Sequence, residues 1–315
     1  MTERDAAACA GTGRVGNPVS GIPEPIASRL AAGGLSPDAV ASFAALALAE
    51  DVAGGIDVTT AATVPAGEAG SADLVARSAG VVAGLPVAEL VFWLASRDEP
   101  VTTQPRAADG DRVVAGQVLL TVSGPVATIL LAERPALNLL CHLSGVASLT
   151  RRWVDAVAGT GARIRDTRKT MPGMRTLQKY AVRCGCGINH RMSLADAALI
   201  KDNHVVAAGS VGAAFAAVSA RAGGLPVEVE CDTLAQVSEA LAVGADLILL
   251  DNFGVADMAQ AVRLAGGRAR LEASGGLSLA DARAVAETGV DYLAVGALTH
   301  SAPALDIGLD LVRAG

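Results

Sequence analysis

From about Ala162 onward, apolar residues come in short runs that end in charged or glycine-bearing turns, each followed by an alanine-rich stretch of helical periodicity. The run endings are "ARIRDTRK", "AALIKDNH", "VEVECDT", "LILLDNF", "RLEASGG" and "YLAVGAL". Helix-like segments lie between them, among them Thr233 to Val243, Val255 to Leu264, and Ser278 to Thr288 with Ser278 placed as an N-cap. Strand and helix alternating about every 20 to 35 residues predicts βαβ units on a parallel sheet. Six such units predict an α/β barrel. Residues 26 to 136 lack this alternation. There Leu30 to Glu50 is patterned as a helix, and "SADLVARSAGVVAG" and "DGDRVVAGQVLLTVSG" as strands joined by glycine turns, which predicts a separate N-terminal α+β domain. The second run resembles the hairpin of a biotinyl or lipoyl carrier, but no lysine precedes Lys169, so nothing there is available for modification. The segment Ala127 to Arg152 joins the two parts as a helix. Pro135 fits the first turn of the stretch through Leu139, Leu140 and Leu143, which would put Arg134 at a helix start. The expected division is an extension over 1–25, the α+β domain over 26–136 with 301–315 available to complete it, and the barrel over 137–300.

Composition narrows the setting. Half of the 315 residues are apolar, much of that alanine, and no uninterrupted apolar run approaches the roughly 18 to 20 residues of a membrane helix. The first 25 residues, rich in Ala, Gly and Pro, lack the compact apolar segment of a signal peptide, so the expected location is the cytoplasm. Five irregularly spaced cysteines, Cys9, Cys141, Cys184, Cys186 and Cys231, form neither a disulfide framework nor a metal knuckle. Cys184 and Cys186 with His190 lack an evident fourth ligand and read as small residues in a glycine-rich loop.

The formal charge of −7 argues against a nucleic-acid surface. Its distribution says more. Residues 163–204 hold nine Arg or Lys against three Asp, a net +6 that leaves −13 for the rest, and they include all three lysines of the chain. In a parallel barrel the strand C-termini carry the chemistry. That face would receive Arg168, Lys169, Lys201, Glu230, Asp251, the Ser274-Gly275-Gly276 turn and Gly296. Arginine forks grip carboxylate or phosphate with paired hydrogen bonds, and lysine adds a mobile point charge, so Arg168, Arg191, Lys169 and Lys201 suit a ligand with several negative groups. His190, in "INHR", is read as a further donor of tunable charge, or else as a buried structural histidine. Glu230 and Asp251 would hold ribose hydroxyls, bind Mg²⁺, stabilise a cationic carbon, or simply pair with the neighbouring cations. Glycine turns on the last strands fall where barrels commonly hold phosphate on backbone N–H groups.

The run "DTRKTMPGMRTLQKYAVRCGCGINHRMSLADAALIKDNH", Asp166 to His204, resembles the signature of the quinolinate phosphoribosyltransferases. Supporting stretches are "LAEDVAGGIDVTT", "ERPALNLLCHLSGVAS", "VEVECDTLAQ", "EASGGL" and "VGALTHSAPALDIGLDL", so the resemblance covers nearly everything after about residue 25. It implies an incomplete, TIM-like parallel barrel with an N-terminal α+β sandwich. The implied reaction joins quinolinate to phosphoribosyl pyrophosphate, giving nicotinate mononucleotide, pyrophosphate and CO₂ for NAD synthesis, with Mg²⁺ as cofactor. By resemblance, Arg134 from the partner subunit of a homodimer joins Thr167, Arg168, His190, Arg191 and Lys201 around the dicarboxylate. Lys169 would face the phosphoribosyl pyrophosphate, Glu230 and Asp251 the ribose and its Mg²⁺, and Ser274, Gly275, Gly276 and Gly296 the 5′-phosphate. Departures from the family pattern are Cys186 and Ser193 in place of glycines, and Met171 and Pro135 where threonine is typical.

Three other readings compete. One is a related phosphoribosyltransferase acting on another base such as nicotinate, or a divergent member of a molybdenum-transport-associated branch; a one-carboxylate base would not need the whole cationic set. Another is a Schiff-base aldolase using Lys201, which requires a trappable lysine adduct. The third is a phosphate-ligand sensor that binds phosphoribosyl pyrophosphate without consuming it.

Overall fold

The computed structural model describes residues 21–96 and 100–312. Most of the extension expected over residues 1–25 therefore lies outside the described residues.

The described residues open with two helices, α1 (Glu24–Ala32) and α2 (Pro37–Val52), where the sequence pattern predicted a single one from Leu30 to Glu50. The break is local chemistry. Gly33 closes the first helix, Gly34 turns the chain at φ +72°, and Ser36 caps the second by accepting the Ala39 N–H, with Pro37 in its first turn. After α3 (Val58–Thr63) come β1 (Ala69–Ala76), the two-residue β2 (Gly80–Val81), α4 (Leu85–Ala95), β3 (Thr102–Pro105), β4 (Arg112–Val113) and β5 (Val118–Pro125). The long α5 (Val126–Ala156) then leads into the second half.

That half alternates as predicted: β6 (Arg163–Arg165), α6 (Arg175–Cys184), β7 (Ala198–Ile200), α7 (Asp202–Ala208), α8 (Val211–Ser219), β8 (Val227–Cys231), α9 (Leu234–Ala242), β9 (Leu247–Asp251), α10 (Val255–Ala265), β10 (Arg270–Ser274), α11 (Ala282–Ala286), β11 (Tyr292–Ala294) and α12 (Ala297–His300). The six strands form an all-parallel sheet in the order β6-β11-β10-β9-β8-β7. Pairing of the first strand with the last curls the sheet into a barrel that stays open between β6 and β7. The segment carrying Ile188 borders that opening through a single parallel bridge to Arg165. The final strand, β12 (Ile307–Val312), leaves the barrel and pairs antiparallel with β1, completing a four-stranded sheet β12-β1-β5-β3. One contiguous apolar core runs through both halves.

Helix α5 links the two parts by packing on α4, α2, α6 and β5. Its length and composition alone would allow it to cross a membrane, yet half of its most apolar window is buried inside the protein and Trp153, Leu140 and Leu143 sit in the core. Pro135 is not in a first turn but well inside this helix, so Leu131 loses an intrahelical partner, and Arg134 is correspondingly mid-helix, exposed, and donating to Asn138. Ser278 also sits differently: α11 begins at Ala282, and Ser278 accepts the Asp281 N–H from the turn before it.

Gly145 is where the helix meets the returning C-terminal segment. A Cβ there would lie 2.1 Å from the Pro303 carbonyl oxygen and 2.9 Å from Ala304 Cα. Both are backbone atoms, which cannot swing aside. Gly145→Ala is therefore expected to lower unfolding free energy by about 1–3 kcal/mol, as overpacking does. Denaturant titration checks this; an unchanged midpoint would show that the 303–304 segment yields freely.

Candidate active site

The strand C-termini open onto a cleft of about 390 Å³ lined by Thr167, Arg168, Lys169, His190, Arg191, Leu199, Lys201, Glu230, Leu249, Asp251, Glu272 and Ser274. Nine of the residues expected from sequence stand on this one wall. Seven come from a strand end or the turn after it: Thr167 to Lys169 follow β6, Lys201 follows β7, and Glu230, Asp251 and Ser274 close β8, β9 and β10, while His190 and Arg191 come from the segment between α6 and β7, just past the Ile188 bridge. Gly275, Gly276, Gly296 and Arg134 do not line it. Gly275 and Gly276 turn the chain at φ +88° and +59°, and a Cβ on Gly275 would meet the Asn252 side chain at 2.2 Å. Gly296 has ordinary helical φ; what it provides is room, since a Cβ there would sit 3.1 Å from Lys169 Cδ.

A larger cavity, about 840 Å³, lies between α1, α4 and β3. Its polar groups are already spent on one another. Arg29 forms a two-bond fork on Glu89 at 2.6 and 2.8 Å, and Asp109 takes the Tyr180 hydroxyl at 2.5 Å as well as the Gly84 and Leu85 N–H groups. The smaller cleft, with unspent charge, is the candidate site.

Its electrostatics favour an anion. Among the described residues, Arg168, Lys169 and Arg191 have no carboxylate partner, and Arg168 Nε is buried without a hydrogen bond. Burial, and then the like charge of Arg168, push the Arg191 pKa below its ordinary value. Arg191 is steadied by a 3.0 Å bond to the Ala197 carbonyl. Lys201 and Glu230 pair at 2.7 Å across the cleft, so the acid–cation pairing considered from sequence does occur there. Asp251 accepts from Asn252 Nδ2 at 2.7 Å, and Asn252 itself has a left-handed φ of 58°.

Under the cleft lies a layer that sequence reasoning passed over. His190 Nε2 is 2.8 Å from Glu228 Oε2 and 3.6 Å from Glu272 Oε1, and Arg165 Nη1 holds Glu272 at 2.5 Å. Burial, then the charge of Glu228, push the Glu272 pKa up to about 7. Donor atoms of His190, Glu228 and Glu272 lie within 4.8 Å of one another, a type and spacing of ligands capable of coordinating a divalent metal. The signal was in the strand period: residues two apart share a face, so "VEVE" places Glu228 below Glu230 and "EAS" places Glu272 below Ser274. His190 departs from its reading as an available donor. Nδ1 accepts the Arg191 N–H at 2.7 Å, so both ring nitrogens are engaged by the protein.

The loop bearing His190 is tied down from below by Asp166 and Lys179, a fully buried ion pair. Asp166 also accepts the His190 N–H at 2.8 Å and Asn189 Nδ2 at 2.5 Å, while Lys179 Nζ donates to the His190 carbonyl at 2.9 Å. Burial pushes each partner's pKa toward its neutral form, and their mutual attraction opposes it. Cys184 and Cys186 contribute no ligand to His190; Cys186, in a left-handed conformation at φ 66°, instead accepts from Arg151.

Comparison with known proteins decides the family. Residues 146–310 match "Quinolinate phosphoribosyl transferase, C-terminal domain" and residues 57–144 match "Quinolinate phosphoribosyl transferase, N-terminal domain". The chain belongs to the quinolinate phosphoribosyltransferase family. Among relatives in this family, nicotinate-nucleotide pyrophosphorylase [carboxylating] of Mycobacterium leprae is 56% identical over 268 residues, 84% of this chain and 94% of that one. Quinolinate phosphoribosyltransferase [decarboxylating] 2a, mitochondrial, of Nicotiana tabacum is 39% identical over 285 residues, spanning 84% of this chain and 80% of that one. The crystal structure of NadC from Streptococcus pyogenes superposes with a TM-score of 0.85 at 41% identity, covering 89% of this chain and 99% of that one. The chain is thus an enzyme of the quinolinate phosphoribosyltransferase family, with the barrel and N-terminal sheet of that architecture.

Proposed function

We propose that the cleft transfers a phosphoribosyl group from phosphoribosyl pyrophosphate to quinolinate and releases CO₂, pyrophosphate and nicotinate mononucleotide. The observation that carries this reading is the pair Arg168 and Arg191, set side by side in a half-buried wall, neither with a carboxylate salt-bridge partner among the described residues. Two adjacent carboxylates on a small ring satisfy such a wall better than one. Arg168, Arg191 and Lys201 hold the dicarboxylate, Thr167 donates beside them, and Lys169 meets the pyrophosphate. Once the carboxylates draw Lys201 across, Glu230 is released toward the ribose.

Held in this way, the pyridine nitrogen attacks the anomeric carbon as the bond to pyrophosphate breaks, and the electron pair of that bond departs with the leaving group. Glu230 and Asp251 stabilise the positive charge that develops on the sugar. When the adjacent C–CO₂ bond breaks, its electron pair stays on the ring carbon, where the now cationic ring nitrogen beside it stabilises the carbanion, and a proton then bonds to that carbon. The arginines' task is orientation, which converts an encounter of two anions into a positioned reaction. Glu230 and Asp251 offer the oxygen ligands Mg²⁺ prefers, and bound there it would screen the pyrophosphate charge. Ser274, with the Gly275, Gly276 and Gly296 turns beside it, takes the 5′-phosphate. The expected setting is a cytoplasmic homodimer.

The direct test is Mg²⁺-dependent release of label from quinolinate marked at its 2-carboxylate, with phosphoribosyl pyrophosphate present or omitted. Release requiring both substrates, matched by nicotinate mononucleotide, supports the reading; binding of phosphoribosyl pyrophosphate without release would move it to another base or to a sensor. Arg134 is exposed and does not line its own cleft, and on the family resemblance it is proposed to enter the partner's. Arg134→Ala and Lys201→Ala are each expected to be inactive and folded. Mixed under subunit exchange, they recover about a quarter of wild-type activity, the share of sites retaining both residues in a shared-site dimer. No recovery would place Arg134 outside the site.

A further inference from the structure

We propose that Glu228 is a positioning residue for the dicarboxylate end of the cleft: it fixes the His190 ring as an uncharged wall with its proton on Nε2, so that His190 offers no ring N–H to a bound anion. The claim about substrate rests on the function proposed above; the claim about the ring does not.

Hydrogen-bond directions carry the argument. The Arg191 backbone N–H lies 2.7 Å from His190 Nδ1, and an amide N–H can only donate, so Nδ1 presents its lone pair there and bears no proton. The ring proton is then on Nε2, which faces Glu228 Oε2 at 2.8 Å and Glu272 Oε1 at 3.6 Å. A second proton on Nδ1 would set two N–H groups head to head and break the Arg191 bond. The ring is 9% exposed, and the same residue's backbone is held by Asp166 and Lys179. Thus His190 is fixed twice, its backbone by the buried ion pair and its ring by Glu228.

Two consequences follow for the site. Charge recognition of the dicarboxylate then falls to Arg168, Arg191 and Lys201 of the cleft's own chain, with Arg134 proposed from its partner, and not to His190. The link Glu228–His190–Arg191 also pins the peptide N–H of Arg191, the root of one of those cations, much as a carboxylate orients a histidine that acts elsewhere. A divalent ion held by His190, Glu228 and Glu272 would demand the opposite arrangement, a lone pair on Nε2. The two states are mutually exclusive, which makes the ring's tautomer decisive.

The experiment is a long-range ¹H–¹⁵N spectrum of the full chain labelled at its four histidines, with His190 assigned from His190→Gln. A pyridine-type Nδ1 and pyrrole-type Nε2, unchanged by added Mg²⁺ or Zn²⁺ and by quinolinate, are expected. A doubly protonated ring, the reversed tautomer, or a metal-induced shift at Nε2 would overturn the proposal. Kinetics supply the second readout. Glu228→Ala is expected to raise KM for quinolinate about tenfold and leave KM for phosphoribosyl pyrophosphate within about twofold. Glu228→Gln, whose amide oxygen still accepts the Nε2 proton, recovers most of that loss, and it decides the matter if the alanine variant fails to fold. Equal effects on both substrates, or no effect, would make Glu228 merely structural. Wild-type protein that shows the predicted tautomer but never turns over quinolinate would sink the functional reading and leave the ring assignment standing.

Discussion

Arg168→Ala is expected to lower kcat/KM for quinolinate by about 10³-fold, on the order of 4 kcal/mol, while leaving the protein as stable as before or slightly more so. The expectation comes from what Arg168 lacks. No carboxylate pairs with it among the described residues, its Nε is buried without a partner, and it sits close enough to Arg191 to depress that neighbour's pKa. With no protein carboxylate to offset its charge, it contributes repulsion and desolvation rather than stability. Only an anion relieves both, and with two negative groups the relief is large. Arg168→Lys restores the charge but not the planar fork, so it should stay at least about tenfold below wild type, a residual loss of about 1.4 kcal/mol or more. Steady-state kinetics with each substrate varied, alongside thermal melts, checks this. Retention of activity within tenfold, or a melting temperature lowered by several degrees, would show that Arg168 has a structural role instead.

The difference between Arg168 and Lys179 shows how far sequence reading reached. Both belong to the same cationic stretch, and by composition they are alike. Strand-end positions separated what faces the cleft: Arg168, Lys169, Lys201, Glu230, Asp251 and Ser274 all follow or close a short apolar run, and all line one wall. Lys179 lies inside α6 in an unbroken buried run from Leu177 to Val182 that covers the helix on all sides, and no local pattern announces that a lysine will go fully inside. Its partner Asp166 is thirteen residues away, a pairing that only the tertiary fold creates. Glu228 and Glu272 were legible in principle from the period of two but carry no turn or glycine to mark them. Pro135 misled for the opposite reason. Its strong local preference for a first turn was overridden by the packing of α5, which keeps the helix continuous on both sides. His190 was open between a donor and a buried structural histidine because the acceptor role of Nδ1, which decides between them, depends on the conformation of its own peptide.

The second large effect is one of folding and site integrity together. Lys179→Met leaves Asp166 as a fully buried carboxylate without its cation, a loss of about 3–5 kcal/mol. For a chain of this size that corresponds to a fall in melting temperature on the order of 10 °C. Activity should fall as well, because the Lys179 ammonium also holds the His190 carbonyl and Asp166 holds the His190 N–H, so the loop loses its anchor on both sides of the residue. The double variant Asp166→Leu with Lys179→Met separates the two consequences. Removing both charges removes the orphan, so stability should return to within about 2 kcal/mol of wild type, giving a coupling energy of a few kcal/mol in the double-mutant cycle. Activity should not return, since the backbone N–H and carbonyl of His190 still lack partners and the ring can no longer be delivered to Glu228. Chemical denaturation and kinetics on the three variants test this split. A double variant that regains turnover along with stability would mean that the pair serves the core alone, and that the His190 loop finds its place without it.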